Sequence, residues 1–230
     1  MQSVSIVIVA AGSGVRMAGM GDKMFLELAG LPLVAHTWKR FDLLGDACEI
    51  ILVVREESES AFSKLAKKIK PEKNWRLVGG GAQRQESVWN GLKATSPGSE
   101  LVAIQDGARP CTPVPVIQAT LTAARETGAA VAACRVTDTI KQAGKGNMVE
   151  KTLDRSGLWA VQTPQAFRRD VLLRALKEVR KQGVMVTDDT AACELIGHPV
   201  QLVECAGPNP KATMPADLPY IESLLETANR

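Results

Sequence analysis

Histidine is nearly missing from this chain. The 230 residues include two, His36 and His198. The first lies within a helical pattern and the second in a Gly-His-Pro turn, and no GxSxG nucleophile motif occurs. General-base chemistry through imidazole is therefore set aside. The five cysteines are odd in number and share no CxxC spacing, which excludes a zinc site and a disulfide framework and reads as reduced thiols in a cytoplasmic protein. No apolar run approaches the ~18 residues of a membrane span, and the chain enters a strand without a signal segment. A net charge of +3 is too small to argue for a nucleic-acid or membrane partner. No GxxxxGK[ST] occurs, so an ATPase-type phosphate loop is excluded.

What is present begins with the first loop. The apolar run 5–10 empties into Ala11-Gly12-Ser13-Gly14-Val15-Arg16-Met17, and Lys23 follows seven residues after the arginine. Small residues after a buried strand let backbone N–H groups approach a ligand, and two cations at the same mouth suit a triphosphate. A dinucleotide fingerprint fails here. The third glycine is replaced by Met17, and Arg55 stands where an acidic residue would close the second strand.

Apolar runs at 5–10, 49–54, 76–78, 101–105, 129–133 and 200–204 read as strands. Most are continuously apolar, as parallel strands covered on both faces are. Amphipathic stretches alternate with them: Val34, Trp38 and Phe41 share a face, as do Phe62, Leu65, Ala66 and Ile69, and Val116, Thr120 and Ala124. Thr112-Pro113 reads as the cap and first turn of that third helix and Gly128 as its end; Asp170 and Gly183 bracket a fourth. The expected fold is α/β: one Rossmann-like domain over 1–230 with a mostly parallel, doubly wound sheet and its site at the carboxyl ends of the strands. One segment breaks the rhythm. Stretches 135–141 and 148–153 alternate at period two around a glycine-rich turn, which predicts an inserted β-hairpin arm over 135–155. Such an arm has little apolar surface of its own and is marginal alone, so a second subunit is its natural support.

Three further places carry chemistry. Asp106, just after a strand in Gln105-Asp106-Gly107-Ala108-Arg109-Pro110, is where a magnesium ligand belongs, although a turn-capping aspartate has the same pattern. Gly79-Gly80-Gly81 before Ser87 offers exposed backbone on which a flat nucleobase can lie. Lys211, in the turn after the last strand, adds a cation. This inventory suits one reaction that needs no proton acceptor: a phosphate monoester attacking the α-phosphorus of a nucleotide. Its second pKa is about 6, so the nucleophile is already mostly dianionic at neutral pH. Cations and a divalent ion must then suppress the repulsion of two polyanions.

These motifs resemble the 2-C-methyl-D-erythritol 4-phosphate cytidylyltransferase family of the non-mevalonate isoprenoid pathway. The resemblance rests on Ala10-Ala11-Gly12-x-Gly14-x-Arg16-Met17 with Lys23, Gly80-Gly81 with Arg84 and Ser87, Asp106-x-Ala108-Arg109-Pro110, Asp138-Thr139-Ile140-Lys141, Asp154-Arg155, Thr163-Pro164-Gln165, Thr187-Asp188 and Asn209-x-Lys211-x-Thr213. It implies transfer of a cytidylyl group from CTP to methylerythritol phosphate, with release of pyrophosphate. Arg16, Lys23 and Lys211 would be catalytic on the triphosphate, and Asp106 would help place Mg²⁺. Ala10, Ala11, Gly12, Gly14, Gly81, Ser87 and Asp106 would bind the nucleotide. Arg109, Thr139, Arg155, Thr187 and Lys211 would meet the substrate phosphate. Thr139 and Arg155 would reach a neighbour's site through the arm of a homodimer. The same cations would also serve a cytidylyltransferase for another polyol phosphate, such as ribitol 5-phosphate. The chain departs from the family pattern twice: Gln105 stands where histidine is usual, and Asp22 where proline is usual. A carboxylate beside Lys23 is expected to repel the triphosphate, so Asp22→Pro is expected to lower the KM for CTP.

Overall fold

A strand that is apolar at every position can be covered from both sides, and the central strands use that property. The computed structural model describes residues 3–12 and 21–228. Strand β1 (Val4–Val9) is followed by a 3-10 turn at Lys23–Phe25, a small ribbon of β2 (Glu27–Leu28) and β3 (Leu31–Pro32), and α1 (Leu33–Asp42). Then come β4 (Ala47–Val54), α2 (Glu59–Ile69), β5 (Asn74–Gly79), α3 (Arg84–Ala94), β6 (Leu101–Asp106), α4 (Val114–Thr127) and β7 (Ala129–Arg135). The arm carries β8 (Lys141–Ala143) and β9 (Val149–Thr152). The chain returns through β10 (Trp159–Arg168), α5 (Arg169–Gln182), α6 (Asp189–Leu195), β11 (Gln201–Glu204) and α7 (Leu218–Ala228).

Seven strands form the main sheet in the order β11-β7-β10-β6-β1-β4-β5. All neighbours are parallel except β10, which runs antiparallel between β6 and β7. The pleat divides β1 and β4 between two cores. Ile6, Ile8, Ile50 and Leu52 pack with Trp38, Phe41, Phe62, Ile117 and Ile221 on one face. Val7, Ile51 and Val53 pack with Val88, Leu92, Phe167, Leu172 and Leu176 on the other. Both faces are dry, which is why the strand sequences do not alternate.

The expected fold class is therefore observed, with local differences. The six apolar runs do not include β10, which has 10 residues and is interrupted by a register shift between Val161 and Gln165 that includes a cis Thr163–Pro164 peptide. Polar Gln162, Thr163 and Gln165 mask it in the hydropathy pattern, because their side chains serve the site rather than the core. Thr112 does not cap α4. That helix begins after Pro113, and the Thr112 hydroxyl lies 2.9 Å from Asn209 Oδ1. Asp170 lies in the first turn of α5 rather than before it, while Gly128 and Gly183 end their helices in left-handed conformation as expected. The arm is a hairpin, but its first strand is confined to 141–143 rather than 135–141, since Thr137, Asp138 and Thr139 are exposed and unpaired by β9.

Candidate active site

The register of the sheet sets the site. Val9 pairs with both Asp106 of β6 and Val53 of β4, so the loops after β1, β4 and β6 leave the sheet at one level. Two close approaches draw the neighbouring loop onto this edge. A Cβ on Gly91 of α3 would stand 2.5 Å from Val7 Cγ1, so glycine lets the helix settle onto β1 and β4. One on Gly80 would stand 2.4 Å from the Ala11 Cβ, so only glycine lets the 79–81 loop touch the first loop. Glu86 reaches back from α3 to the Ala82 N–H (2.8 Å), and Ser87 Oγ accepts the Gly81 N–H (3.1 Å).

Asp106, at the end of the strand beside β1, is the hub. Its Oδ2 pairs with Lys211 Nζ at 2.7 Å and its Oδ1 with Arg84 Nε at 3.3 Å; Arg109 Nε stands 3.9 Å away. Its N–H donates to Thr163 Oγ1 at 3.1 Å. Burial alone would raise its pKa, but the charges of Arg84, Lys211 and Arg109 outweigh that and hold it at about 2. Asp106 is thus an anion throughout neutral pH. Arg84 also reaches Asp189 Oδ2 at 2.9 Å. Burial works against the guanidinium charge, yet the two carboxylates raise the Arg84 pKa well above its usual value. Burial raises that of Asp189, with Arg84 opposing.

Two cavities open on this hub. The first, about 300 Å³, is lined by Ala11, Gly12, Lys23, Gly81, Ser87 and neighbours. The second, about 510 Å³, is lined by Arg109, Thr163, Thr187 and others. Arg84, Asp106 and Lys211 belong to both walls. Lys23 Nζ lies 3.4 Å from the Ala212 carbonyl, which brings the first loop and the Lys211 turn together.

Most of the sequence-predicted residues thus converge. Lys23, Ala11, Gly12, Gly81, Ser87, Asp106 and Lys211 line the first cavity, and Arg109, Thr187 and Lys211 line the second. Ala10 is buried behind the wall with its N–H on the Val53 carbonyl. Arg16 and Gly14 lie outside the described residues. Thr139 and Arg155 are exposed on the arm and line neither cavity of their own chain; Arg155 bonds the Thr137 carbonyl.

The sequence motifs include Arg84 and Asn209 but assign neither a role. Arg84 was legible as part of a motif but not as the bridge between two carboxylates. Asn209 is buried and fully engaged: Nδ2 donates to Gln162 Oε1 and the Thr163 carbonyl, both at 2.9 Å; Oδ1 accepts from Thr112; its carbonyl accepts from Arg109 Nη1 at 2.6 Å. Its position between two prolines was the available signal. Asp22 also behaves differently from expectation. Its carboxylate does not stand unpaired beside Lys23; it is held by Arg55 Nη2 at 2.7 Å and Ser58 Oγ at 3.0 Å.

A family model described as 2-C-methyl-D-erythritol 4-phosphate cytidylyltransferase matches residues 4–227. The chain belongs to that family. A relative of that name from Geobacillus kaustophilus (strain HTA426) is 43% identical over 219 residues, covering 95% of each chain. A solved 4-diphosphocytidyl-2C-methyl-D-erythritol synthase from Anaerococcus prevotii DSM 20548 superposes with a TM-score of 0.86 at 30% identity, over 98% of this chain and 99% of that one. A 2-C-methyl-D-erythritol 4-phosphate cytidylyltransferase from Thermus thermophilus gives 0.81 at 32%, over 97% and 99%. Among the described residues of this cytidylyltransferase, no three His, Cys, Asp or Glu side chains cluster as a metal cage. Asp106 is the carboxylate common to both cavities, and Mg²⁺ would need one or two carboxylates beside phosphate and water oxygens. No described helix is long and apolar enough to cross a membrane.

Proposed function

We propose a division of labour among these residues for the reaction of the family, transfer of the cytidylyl group of CTP to 2-C-methyl-D-erythritol 4-phosphate. The observation that carries it is the common wall: Arg84, Asp106 and Lys211 border both cavities. Two polyanions can lie one on each side and meet at that wall.

CTP occupies the first cavity. Its cytosine and ribose lie against the backbone of Ala11, Gly12 and Gly81 and the Ser87 hydroxyl; its triphosphate lies toward Lys23, with Gly14 and Arg16 assigned to it by the family resemblance. The alcohol phosphate occupies the second cavity, gripped by Arg109, Thr187 and Lys211. A phosphate oxygen of the substrate forms a bond to the α-phosphorus as the bond from that phosphorus to the pyrophosphate oxygen breaks. The nucleophile is already a dianion, so no side chain needs to take a proton. Lys211, between the two anions, screens their repulsion, and Lys23 and Arg16 take up charge on the five-coordinate phosphorus and on the leaving pyrophosphate. Asp106 would hold Mg²⁺, and the ion would supply neutralisation of triphosphate charge there. Asp106 also fixes Lys211 and Arg84, whose positions are set before substrate arrives.

The enzyme works as a homodimer in which Thr139 and Arg155 reach the substrate phosphate of a second copy. The arm supports this reading. Its two strands are exposed throughout, and it presents Met148 at 72% and Val149 at 61% exposure. The five unpaired cysteines support a cytoplasmic setting. The relatives' names favour methylerythritol phosphate over ribitol 5-phosphate. The test is pyrophosphate release from CTP and Mg²⁺ across a panel of alcohol phosphates. Methylerythritol phosphate should stand at least tenfold above every other in kcat/KM, a gap of ~1.4 kcal/mol. Equal turnover of ribitol 5-phosphate would overturn the assignment.

A further inference from the structure

Asp22 is not part of either cavity wall, yet three bonds converge on its carboxylate. Oδ1 accepts the N–H of Met24 at 3.0 Å, which caps the 3-10 turn Lys23–Phe25. Oδ2 accepts from Arg55 Nη2 at 2.7 Å and from the Ser58 hydroxyl at 3.0 Å. Arg55 follows the last residue of β4 and Ser58 precedes α2; the two are joined by a 3.0 Å bond from the Ser58 N–H to the Arg55 carbonyl. Beyond the cap, the Phe25 N–H donates to the Asp22 carbonyl at 2.9 Å, and the Phe25 ring stacks edge-on against Phe62 of α2 at 5.0 Å. The turn that carries Lys23 is thus bolted on one side to the end of β4 and to α2. Its lysine points the other way, toward Ala212 and the Lys211 turn.

We propose that Asp22 is a positioning residue for Lys23. Its carboxylate, clasped by Arg55 and Ser58, fixes the turn so that the Lys23 ammonium is held at the triphosphate side of the first cavity. The inference rests on the reading of Lys23 as a triphosphate ligand. It also reverses the sign of the expectation drawn from charge alone. An unpaired Asp22 would repel CTP, and its removal would tighten binding. A clasped Asp22 is neutralised by Arg55, and its removal loosens the lysine.

The experiment is a double-mutant cycle on CTP affinity, measured by calorimetry with a non-reacting CTP analogue and Mg²⁺, on Asp22→Ala, Lys23→Ala and the pair. Asp22→Ala should weaken binding about tenfold, which is ~1.4 kcal/mol. In the Lys23→Ala background the same change should cost less than about twofold, because a residue acting through Lys23 has nothing left to act on. Asp22→Asn, which keeps the cap and loses the ion pair, should fall between. Unchanged or tighter binding by Asp22→Ala overturns the proposal, as does a full additional loss in the Lys23→Ala background. If Lys23→Ala itself leaves affinity unchanged, the triphosphate reading fails and takes the proposal with it. Should Asp22→Ala lose its fold by circular dichroism, Asp22→Asn and Arg55→Ala enter the same cycle and decide it by the same criteria.

Discussion

The hub around Asp106 and the arm at 135–155 are two ways of holding charge. At the hub, every ion is buried or half-buried and paired within the chain: Asp106 with Lys211 and Arg84, Arg84 with Asp189, Arg109 with the Asn209 carbonyl. On the arm, Arg155 and Thr139 are exposed and lie just outside the two strands, which form a separate two-stranded sheet. The hub is organised in advance by its own chain, so its electrostatics need little rearrangement when anions arrive. The arm has no such support, and a lone hairpin is marginal in water. On the function proposed above, one chain would supply a finished nucleotide side and leave the acceptor side to be completed by a second copy.

The sharpest way to break this contrast is complementation. Lys23→Ala and Arg155→Ala should each lower kcat/KM by about 10²–10³-fold, the usual loss for one transition-state contact. Mixed under conditions of subunit exchange, the two inactive proteins should regain activity, because one site per heterodimer then has both Lys23 from one copy and Arg155 from the other. A mixture that exchanges subunits and stays inactive would put Arg155 in its own chain's site or outside any site.

The second test acts on the hub alone. Asp106→Asn removes the anion that three cations face, and kcat should fall about 100-fold. Its acid behaviour follows from the pKa. The carboxyl titrates at about 2 in the folded chain against an ordinary 3.8. A depressed carboxyl pKa contributes stability that is present above the unfolded value and is lost as pH falls through the folded one. The wild-type protein should therefore lose this contribution between about pH 4 and pH 2, and the Asn variant should have a flatter thermal stability curve across that window. Parallel curves for the two proteins would mean that folding does not depress the Asp106 pKa.

A smaller effect is expected at Asn209, which braces the hub without touching the cavities. Asn209→Ala leaves Gln162 Oε1 and the Thr163 carbonyl without their donor, while Thr112 keeps Gln105 and the Arg109 carbonyl. Loss of roughly 2–3 kcal/mol follows, or about 5–10 °C in Tm for a chain of this size. Lys211 lies two residues on, so kcat/KM should drop as well, by about tenfold, while the sedimentation profile stays that of the wild-type protein. A Tm within about 1 °C of wild type would show the network to be dispensable.

The contrast also explains what was legible in the sequence. Strands buried on both faces announce themselves by unbroken apolar runs, and Gly128 and Gly183 mark real helix ends. Asp106 was legible because it ends a strand, and Lys23 and Lys211 because each lies in the loop that follows one, among small residues or a turn. What was not legible depends on distant pairing. Nothing local in Arg84 predicts that it will bridge carboxylates 22 and 105 residues away. The antiparallel β10 is hidden by polar residues turned into the site. Asp22 was read as an unpaired charge because its partner Arg55 is 33 residues distant.

The least effect is expected at Gln105, the position where the family pattern usually has histidine. Gln105 is fully buried, beside Asp106 yet absent from both cavity walls. Its amide Nε2 donates to Thr112 Oγ1 at 3.0 Å, and Thr112 in turn meets Asn209. The side chain therefore works as a donor into the bracing network, a task that a neutral imidazole N–H can also perform. An imidazole at this depth would incur a desolvation penalty for its charge and stand close to Arg109, and both effects favour the neutral form. Gln105→His should accordingly change kcat/KM by less than about threefold, a difference of under ~1 kcal/mol. The pH profile of kcat/KM should gain no new ionisation between about pH 6 and 9. A new limb near about pH 6.5 would show that the position communicates with the reacting phosphates, and would place a titrating group where the hub holds fixed charges.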